Sequence, residues 1–220
     1  MYIILAGGGL IGKGVARKLV EHKHDVVLVD VDPDVCRDVY ARYGAVTVTG
    51  NATDINVLES AGIEKCDVAV ATMRRDSDNL AFSLLARHFS VRQIAVRMMD
   101  PRYEEVYKSV GVSNITRTTE LLIDQMMVNI ESPELRKVIN LGTVDICLFN
   151  LPSDTPCAGK TVRDIASMSG FPKHLIITCV YKEKDGSYQI PRGDTVLEPD
   201  DRLFLSGTDK DIQKAVRILS

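Results

Sequence analysis

Short apolar runs alternate with helical patterns along the first half of the chain. The first run, Tyr2–Ala6, has the length of a strand and leads into a glycine-rich turn. Apolar residues spaced three and four apart, beginning with Leu10 and Ile11, then predict a helix, and Val26–Val29 predicts the next strand. Strands that alternate one for one with helices favour a parallel, doubly wound sheet, and so an α/β, Rossmann-like fold.

The same alternation continues to about residue 116. Further strands are predicted where short apolar runs recur, at Val46–Thr49, Val68–Thr72, Gln93–Met98 and Ser113–Thr116. Helices are predicted between these runs, at Pro33–Tyr43, Asp54–Gly62, Asp76–His88 and Pro101–Val110. Proline at the first position supports the helix at Pro33, because the first turn of a helix leaves its N–H groups unbonded.

The pattern changes after a long amphipathic stretch, Thr118–Ile130. Its methionines, Met126 and Met127, suit either a buried core or an interface between subunits, and both interpretations remain open. Pro133 interrupts the helical pattern, so we predict two domains, 1–133 and 134–220. In the second domain strands no longer alternate regularly with helices, which favours a small α+β fold.

The second domain also has predicted elements of its own. Its strands are predicted at Val144–Asn150, Leu175–Lys182, Tyr188–Ile190 and Leu203–Ser206, and its helices at Thr161–Met168 and Asp209–Leu219. Asp185 and Gly186 predict a tight hairpin between two of these strands.

The glycine-rich turn has the spacing of a dinucleotide-binding loop. Gly7 permits a tight turn out of the strand, Gly9 allows a pyrophosphate to approach the backbone, and Gly12 lets the helix pack closely on the strand. The N-terminus of the helix offers N–H groups and partial positive charge to phosphates. Asp30 ends the second strand, where its carboxylate is placed to accept hydrogen bonds from ribose hydroxyls. The turn therefore predicts a nucleotide-binding site.

Composition excludes several other classes of function. The 220 residues carry a net charge of −3, which argues against a general nucleic-acid-binding protein. Apolar runs are far shorter than the roughly 18 residues of a membrane-spanning helix, and no leader pattern opens the sequence. The five cysteines form no C-x-x-C pair, and the four histidines have no metal-ligand spacing. We therefore expect a cytoplasmic protein with free thiols and no metal site.

A series of short motifs across the chain resembles the regulatory subunits of Trk/Ktr-type potassium uptake systems, which are pairs of RCK (regulator of K⁺ conductance) domains. In the first domain the matching residues are Gly7, Gly9, Gly12, Val29-Asp30, Asp32, Gly50-Asn51-Ala52-Thr53, Ala71-Thr72, Asp76, Asp78-Asn79-Leu80, Arg97 and Asp100-Pro101. In the second they are Pro156, Gly159-Lys160-Thr161-Val162, Ile190-Pro191, Gly193-Asp194, Asp200-Asp201, Leu203 and Gly207. The order of these motifs is that of the family.

The resemblance implies roles for individual residues. The glycine loop would hold phosphates, Asp30 would bind a ribose, and Arg97 would lie near the phosphates or the distal ribose. The full set of implied nucleotide-binding residues is Gly7, Gly9, Leu10, Ile11, Gly12, Asp30, Val31, Asn51, Ala52, Thr53, Thr72 and Arg97. An ordinary salt bridge is the alternative for Arg97, and helix capping is the alternative for Asp76, Asp78 and Asn79. Glu120 resembles an acidic residue that lies near the phosphates and a divalent cation in some relatives.

The identity of the nucleotide stays open at this point. Some relatives that sense ATP carry an arginine within the glycine loop, facing the terminal phosphate, where this chain has Leu10 and Ile11. The expected ligand is therefore NAD(H) or an adenine nucleotide (ATP, ADP or AMP). Arg74 and Arg75, just after a predicted strand, either supply further positive charge to phosphates or are simply solvated.

The function implied by the resemblance is regulatory and not enzymatic. Such a subunit would gate a membrane-embedded potassium transporter or channel from the inner face of the cell membrane. It would form a homodimer, with a tetramer or an octameric ring built from such dimers, and would not bind nucleic acid. The alternative is an NAD-dependent oxidoreductase on the same fold, although the sequence lacks the Tyr-x-x-x-Lys spacing of one such class. A transcriptional sensor would require a basic recognition helix, which the sequence does not show.

Overall fold

The computed structural model describes residues 1–112, 114–131 and 135–220. The chain divides into two compact units, Met1–Leu121 and Leu122–Ser220, which are described separately. The predicted domain boundary, between residues 133 and 134, lies outside the described residues and stays a prediction.

The first unit is built on a six-stranded sheet in which every strand pair is parallel. Its strands are β1 (Tyr2–Ala6), β2 (Asp25–Asp30), β3 (Val46–Thr49), β4 (Val68–Ala71), β5 (Gln93–Met98) and β6 (Asn114–Arg117). Their spatial order is β3-β2-β1-β4-β5-β6, so the order reverses between β1 and β4. Ligands bind at such a reversal, outside the carboxyl ends of the strands.

Helices connect consecutive strands of this sheet. They are α1 (Leu10–Glu21), α2 (Pro33–Tyr43), α3 (Ile55–Ser60), α4 (Asp76–His88) and α5 (Glu104–Ser109), with short 3-10 turns at Ile63–Lys65 and Pro101–Tyr103. The helix predicted at Pro101–Val110 is thus a 3-10 turn followed by α5. A further helix, α6 (Thr118–Glu131), follows β6. None of the helices in the described ranges is long and apolar enough to span a membrane.

Both faces of the parallel sheet are covered, as the apolar strands predict. In β1, Ile4 and Ala6 pack into one cluster with Phe82 of α4, whereas Leu5 points to the other face and packs with Val39 of α2. Because side chains alternate along a strand, a strand buried on both faces must be apolar throughout. The prediction of a doubly wound α/β unit is confirmed.

The second unit contains a five-stranded antiparallel sheet with the order β10-β9-β11-β8-β7. Its strands are β7 (Leu135–Asn140), β8 (Asp145–Asn150), β9 (Ile176–Lys182), β10 (Ser187–Gln189) and β11 (Arg202–Gly207), and its helices are α7 (Val162–Ala166) and α8 (Asp209–Leu219). Leu203 and Leu205 of β11 pack with Ile212 of α8 in its core. The predicted α+β fold is confirmed.

Most predicted strands agree with the structure to within one residue at each end, and one strand, β7, was not predicted. β7 was not anticipated, because the adjacent charges of Arg136 and Lys137 interrupt its apolar pattern. It pairs with β8 alone at the edge of the sheet, where a strand exposes more of its side chains. The predicted sixth strand begins at Ser113, which lies outside the described residues, and β6 is observed from Asn114.

Candidate functional site: a nucleotide cleft

The glycine loop lies between β1 and α1 and is open to a ligand at one position. Gly7 has φ +98°, a conformation that favours glycine. A Cβ atom on Gly12 would lie 1.9 Å from the carbonyl oxygen of Gly7, so only glycine lets the helix pack this close to the loop. A Cβ on Gly9 would meet nothing within 4 Å. Gly9 therefore leaves the loop accessible, whereas Gly12 allows it to form.

The loop ends at the N-terminus of α1, which begins after Gly9 without a side-chain cap. The first N–H groups of a helix have no partner within the helix and attract an anion. Leu10 is 92% exposed and Ile11 is half-exposed, so neither side chain is held by the core. Both residues line the cleft beside this helix N-terminus.

Thr72 fastens the glycine loop to the end of β4. Its hydroxyl donates a hydrogen bond to the carbonyl of Gly7 at 2.9 Å, with the carbonyl of Ala6 3.1 Å away. The residue is almost fully buried, at 7% exposure. Thr72 therefore fixes the shape of the loop from its buried side, where β4 lies next to β1.

Asp30 lies at the carboxyl end of β2 with its carboxylate oriented by the backbone. Oδ2 accepts a hydrogen bond from the N–H of Gly8 at 2.6 Å, and Oδ1 accepts one from the N–H of Asp32 at 2.9 Å. A carboxylate has about four acceptor positions, so each oxygen can still accept from a ribose hydroxyl. Val31, the next residue, is exposed and also lines the cleft.

The turn after β3 brings two polar side chains to the same cleft. Oδ1 of Asn51 accepts hydrogen bonds from the N–H of Thr53 at 3.0 Å and from its hydroxyl at 2.9 Å. The backbone N–H of Gly50 donates to the carbonyl of Asp30 at 2.8 Å, which joins this turn to β2. Asn51 and Thr53 line the cleft, whereas Ala52 is buried in the core and does not.

Arg97, near the end of β5, lines the opposite side of the cleft. Its Nε atom is buried and has no hydrogen-bond partner within the described ranges, and one Nη atom contacts the sulfur of Met99 at 3.1 Å. The alternative of an ordinary salt bridge is not observed, since no carboxylate in those ranges lies within ion-pair distance of Arg97. Because no carboxylate in those ranges neutralises the guanidinium, it remains available to bind an anion.

These residues form one cleft of about 840 Å³, within the usual range of about 300–1,000 Å³ for small-ligand sites. Of the residues implied by the resemblance, all but Gly12 and Ala52 line it. The sequence analysis did not assign Asp32, Val35 or Met73 to the site, although they line it too. Asp32 and Val35 lie just after β2, and ligand sites form at the carboxyl ends of parallel strands. This rule is the sequence signal that could have identified them.

Two arginines after β4 add positive charge to the cleft. Arg75 forms an ion pair with Asp78, at 2.9 Å, on the surface of α4. Arg74 is exposed and has no ion-pair partner in the parts of the chain that the structure describes. Of these two arginines, Arg74 is therefore the one available to bind a phosphate.

Asp76 and Asn79 do not cap their helix. The residue before α4 is Arg75, and no side chain makes a capping hydrogen bond there. Both side chains instead bond to loops that follow β4 and β5. The hydroxyl of Tyr107 donates a hydrogen bond to Asp76 at 3.0 Å. Burial raises the pKa of this hydroxyl, and the negative charge of Asp76 raises it further.

Glu120 and the cysteines lie outside this site. Glu120 does not line the cleft, and its carboxylate is 3.7 Å from Nε of Arg117, the last residue of β6. The cysteines are free thiols. The described residues contain no cluster of three or more His, Cys, Asp or Glu side chains that could hold a metal ion.

Two family models match the chain. The TrkA-N domain matches residues 3–118, which include the whole cleft, and the TrkA-C domain matches residues 147–220. The two matches follow one another in the order that the motifs predicted.

Three relatives are proteins of potassium uptake systems. A Trk system potassium uptake protein TrkA homolog of Methanothermobacter thermautotrophicus is 31% identical over 199 residues, 90% of this chain and 89% of the relative. The homolog of Pyrococcus abyssi is 27% identical over 100% of this chain and 97% of its own length. The TrkA protein of Mycobacterium tuberculosis is 29% identical over 100% of this chain and 98% of its own length.

Two solved structures share the fold over essentially the whole chain. A GsuK channel bound to NAD is 25% identical, with a TM-score of 0.66 over 99% of this chain. The crystal structure of the GsuK RCK domain is 24% identical, with a TM-score of 0.68 over 100% of this chain. The matches cover 39% and 47% of those two longer chains.

Proposed function

The chain belongs to the family of the Trk system potassium uptake protein TrkA, and from this premise we propose that it is a nucleotide-binding regulatory subunit. Its ligand is NAD(H) or an adenine nucleotide (ATP, ADP or AMP), and its partner is a membrane-embedded potassium transporter or channel. It acts at the cytoplasmic face of the membrane and is not an enzyme.

The buried, unpaired Nε of Arg97 is the observation that carries this proposal. Arg97 lines the same cleft as the glycine loop, the N-terminus of α1 and the carboxylate of Asp30. A guanidinium and free helix N–H groups suit phosphates, whereas a carboxylate suits ribose hydroxyls. Residues that would hold such a ligand are thus present on both sides of the cleft. The GsuK channel structure with NAD supports the same ligand class.

The lining of the cleft favours binding without chemistry. Hydride transfer usually requires a histidine, lysine or tyrosine beside the substrate as proton donor or acceptor. Among the described residues that line the cleft there is none of these three. This supports regulation over the alternative, an NAD-dependent oxidoreductase.

Regulation requires that the nucleotide prefer one of two conformations of the protein. A coupling free energy of about 1–3 kcal/mol shifts such an equilibrium about 5- to 150-fold. We propose that this shift is passed by direct contact to the membrane partner. Homodimers of the chain would assemble into a tetramer or an octameric ring. In such an assembly the conformational changes of several subunits would act together on the membrane partner.

Flux measurements with reconstituted protein test the proposal. The chain is added to vesicles containing a Trk-type potassium transporter, with NAD, NADH, ATP, ADP or AMP. We expect at least one nucleotide to change potassium flux while its concentration stays constant. The variant Arg97→Ala should lose this response, and Asp67→Ala, altered at the amino end of the sheet, should keep it.

Two outcomes would contradict the proposal. One is a flux that no nucleotide changes, although the chain binds the transporter. The other is turnover of NADH at enzymatic rates with a panel of acids and ketones, which would favour the oxidoreductase. Mass spectrometry of the nucleotide that co-purifies with the protein identifies the ligand independently.

A further inference from the structure

We infer that Asn79 and Asp76, in the first turn of α4, are positioning residues that hold Arg97 in place for its ligand. Neither side chain lines the cleft, and both are buried, with Asn79 at 0% and Asp76 at 7% exposure. The inference rests on the proposed nucleotide binding. It adds that the strength of anion binding is set by residues outside the cleft.

Asn79 connects the ends of β4 and β5. Its Oδ1 accepts a hydrogen bond from the N–H of Met73 at 2.9 Å. Its Nδ2 donates to the carbonyl of Met73 at 3.2 Å and to the carbonyl of Arg97 at 3.1 Å. One amide group therefore holds Met73, which lines the cleft, and the backbone of Arg97 together.

Asp76 holds the segment that follows Arg97. Its carboxylate accepts hydrogen bonds from the N–H of Met99 at 3.1 Å and from the N–H of Asp100 at 2.9 Å. The hydroxyl of Tyr107, a fully buried side chain, donates to the same carboxylate at 3.0 Å. Three donors from two other elements thus orient one buried carboxylate.

The chemistry of Arg97 explains why this support matters. An arginine side chain is long and flexible, and its hydrogen bonds to an anion depend on the direction of a planar fork. A site held to within about 0.5 Å binds more strongly than one whose supporting residues are loose. Nε of Arg97 has no partner in the described ranges, and an Nη atom contacts the sulfur of Met99, whose own N–H is held by Asp76. The position of the guanidinium therefore depends on the backbone segment that Asn79 and Asp76 hold.

A double-mutant cycle on the full-length protein tests the inference, with NAD binding measured by calorimetry. Arg97→Ala should weaken binding about 10- to 100-fold, the range for a lost hydrogen bond to a charged group. Asn79→Ala should weaken it about tenfold in the wild-type protein, a typical coupling between neighbouring residues. In the Arg97→Ala background Asn79→Ala should change affinity less than twofold, since the residue acts through Arg97.

Ser83→Ala is the matched control. Ser83 is also a buried polar residue of α4, and its hydroxyl donates to the carbonyl of Asn79 at 2.7 Å without reaching either loop. It should leave NAD affinity unchanged. If Asn79→Ala does not fold, Asp76→Asn takes its place in the cycle, with the same non-additive result expected.

The outcomes separate this inference from the proposed function. Equal losses for Asn79→Ala with and without Arg97 would overturn the positioning role, because a general loss of structure acts in both backgrounds. An unchanged affinity in Arg97→Ala, alongside weaker binding in Asp30→Ala, would overturn the inference and leave nucleotide binding intact. A wild-type protein that binds none of the adenine nucleotides would overturn both.

Discussion

Oδ2 of Asp30 accepts a hydrogen bond from the backbone N–H of Gly8 at 2.6 Å. This contact joins the end of β2 to the glycine loop, which follows β1. It orients the carboxylate toward the cleft while leaving acceptor positions free. The same side chain therefore shapes the loop and is placed to bind the ligand.

Replacing Asp30 by alanine should weaken nucleotide binding. The expected loss is about 1–3 kcal/mol, the range for removing hydrogen bonds to a charged acceptor. Calorimetric titration with the co-purifying nucleotide measures this loss. Asp67→Ala is the matched control, because Asp67 accepts from the N–H of Tyr2 at 2.7 Å at the other end of β1.

The charge of Asp30 should also decide between two related ligands. A 2′-phosphate beside this carboxylate is repelled, so NADP should bind more weakly than NAD. An Asp30→Ala variant with wild-type affinity, or a tighter complex with NADP, would show that the ribose lies elsewhere.

Gly12→Ala should destabilise the first unit. The new Cβ would lie 1.9 Å from the carbonyl oxygen of Gly7, so the backbone must shift, at a cost of about 1–3 kcal/mol. Gly14→Ala, in the same helix with nothing within 4 Å of its Cβ, should instead stabilise by about 0.5–1 kcal/mol. Urea unfolding of both variants measures the difference, and equal midpoints would refute the packing argument.

The apolar stripe on α6 should mediate self-association. Leu122, Met126 and Ile130, spaced one turn apart, are 66%, 61% and 71% exposed. A stripe of this kind is costly to leave in water, so we expect a dimer at micromolar concentration. Light scattering should show a lower mass for Met126→Glu but not for Met126→Leu. A wild-type protein that is monomeric at this concentration would contradict the prediction.

Low pH should reduce the stability of the first unit, because Glu104 becomes protonated. Hydrogen bonds from Arg117, and then from Lys108, lower the pKa of the Glu104 carboxyl to about 2. Because the folded pKa lies below the unfolded value of 4.5, the carboxylate stabilises the fold above that pH. This contribution is lost as pH falls from about 4.5 to about 2.

Glu104→Gln tests this pH dependence by urea unfolding between neutral pH and pH 2. The variant should be less stable than the wild type at neutral pH, and the difference should shrink as pH falls. Glu105→Gln removes a neighbouring carboxylate that is 84% exposed and serves as the control. A difference for Glu104→Gln that does not change with pH would contradict the assignment.

The stability of the second unit should depend on the ion pair of the buried Asp201 with Lys182. Asp201, at 1% exposure, accepts from Nζ of Lys182 at 2.7 Å and from the N–H of Glu198 at 2.8 Å. Asp201→Ala leaves the ammonium of Lys182, whose side chain is only 12% exposed, without this carboxylate and should cost about 3–5 kcal/mol. Glu183→Ala, which breaks an exposed pair with Arg202 at 2.9 Å, should cost about 0–1 kcal/mol. Similar losses for the two variants in chemical denaturation would disprove this ranking.

The sequence by itself determined the fold class and the glycine loop. A strand buried on both faces must be apolar throughout, so β1 and β4 are visible as short apolar runs. Glycine is required at Gly7 by a positive φ and at Gly12 by the close approach of the helix to the loop backbone. Both requirements are local, so the glycine spacing in the sequence indicates them. The strand β7 escaped prediction because its two adjacent charges obscure the alternation.

The tertiary structure alone decided which polar side chains support the cleft. Thr72 reaches Gly7 and Asn79 reaches Arg97 across gaps of 65 and 18 residues. Such contacts depend on which strands lie side by side, and the local pattern does not record that order. Asp76 and Asn79 match the pattern of a helix start in the sequence, yet they bond to the loops after β4 and β5. Their partners became visible only once the parallel sheet had brought those strand ends together.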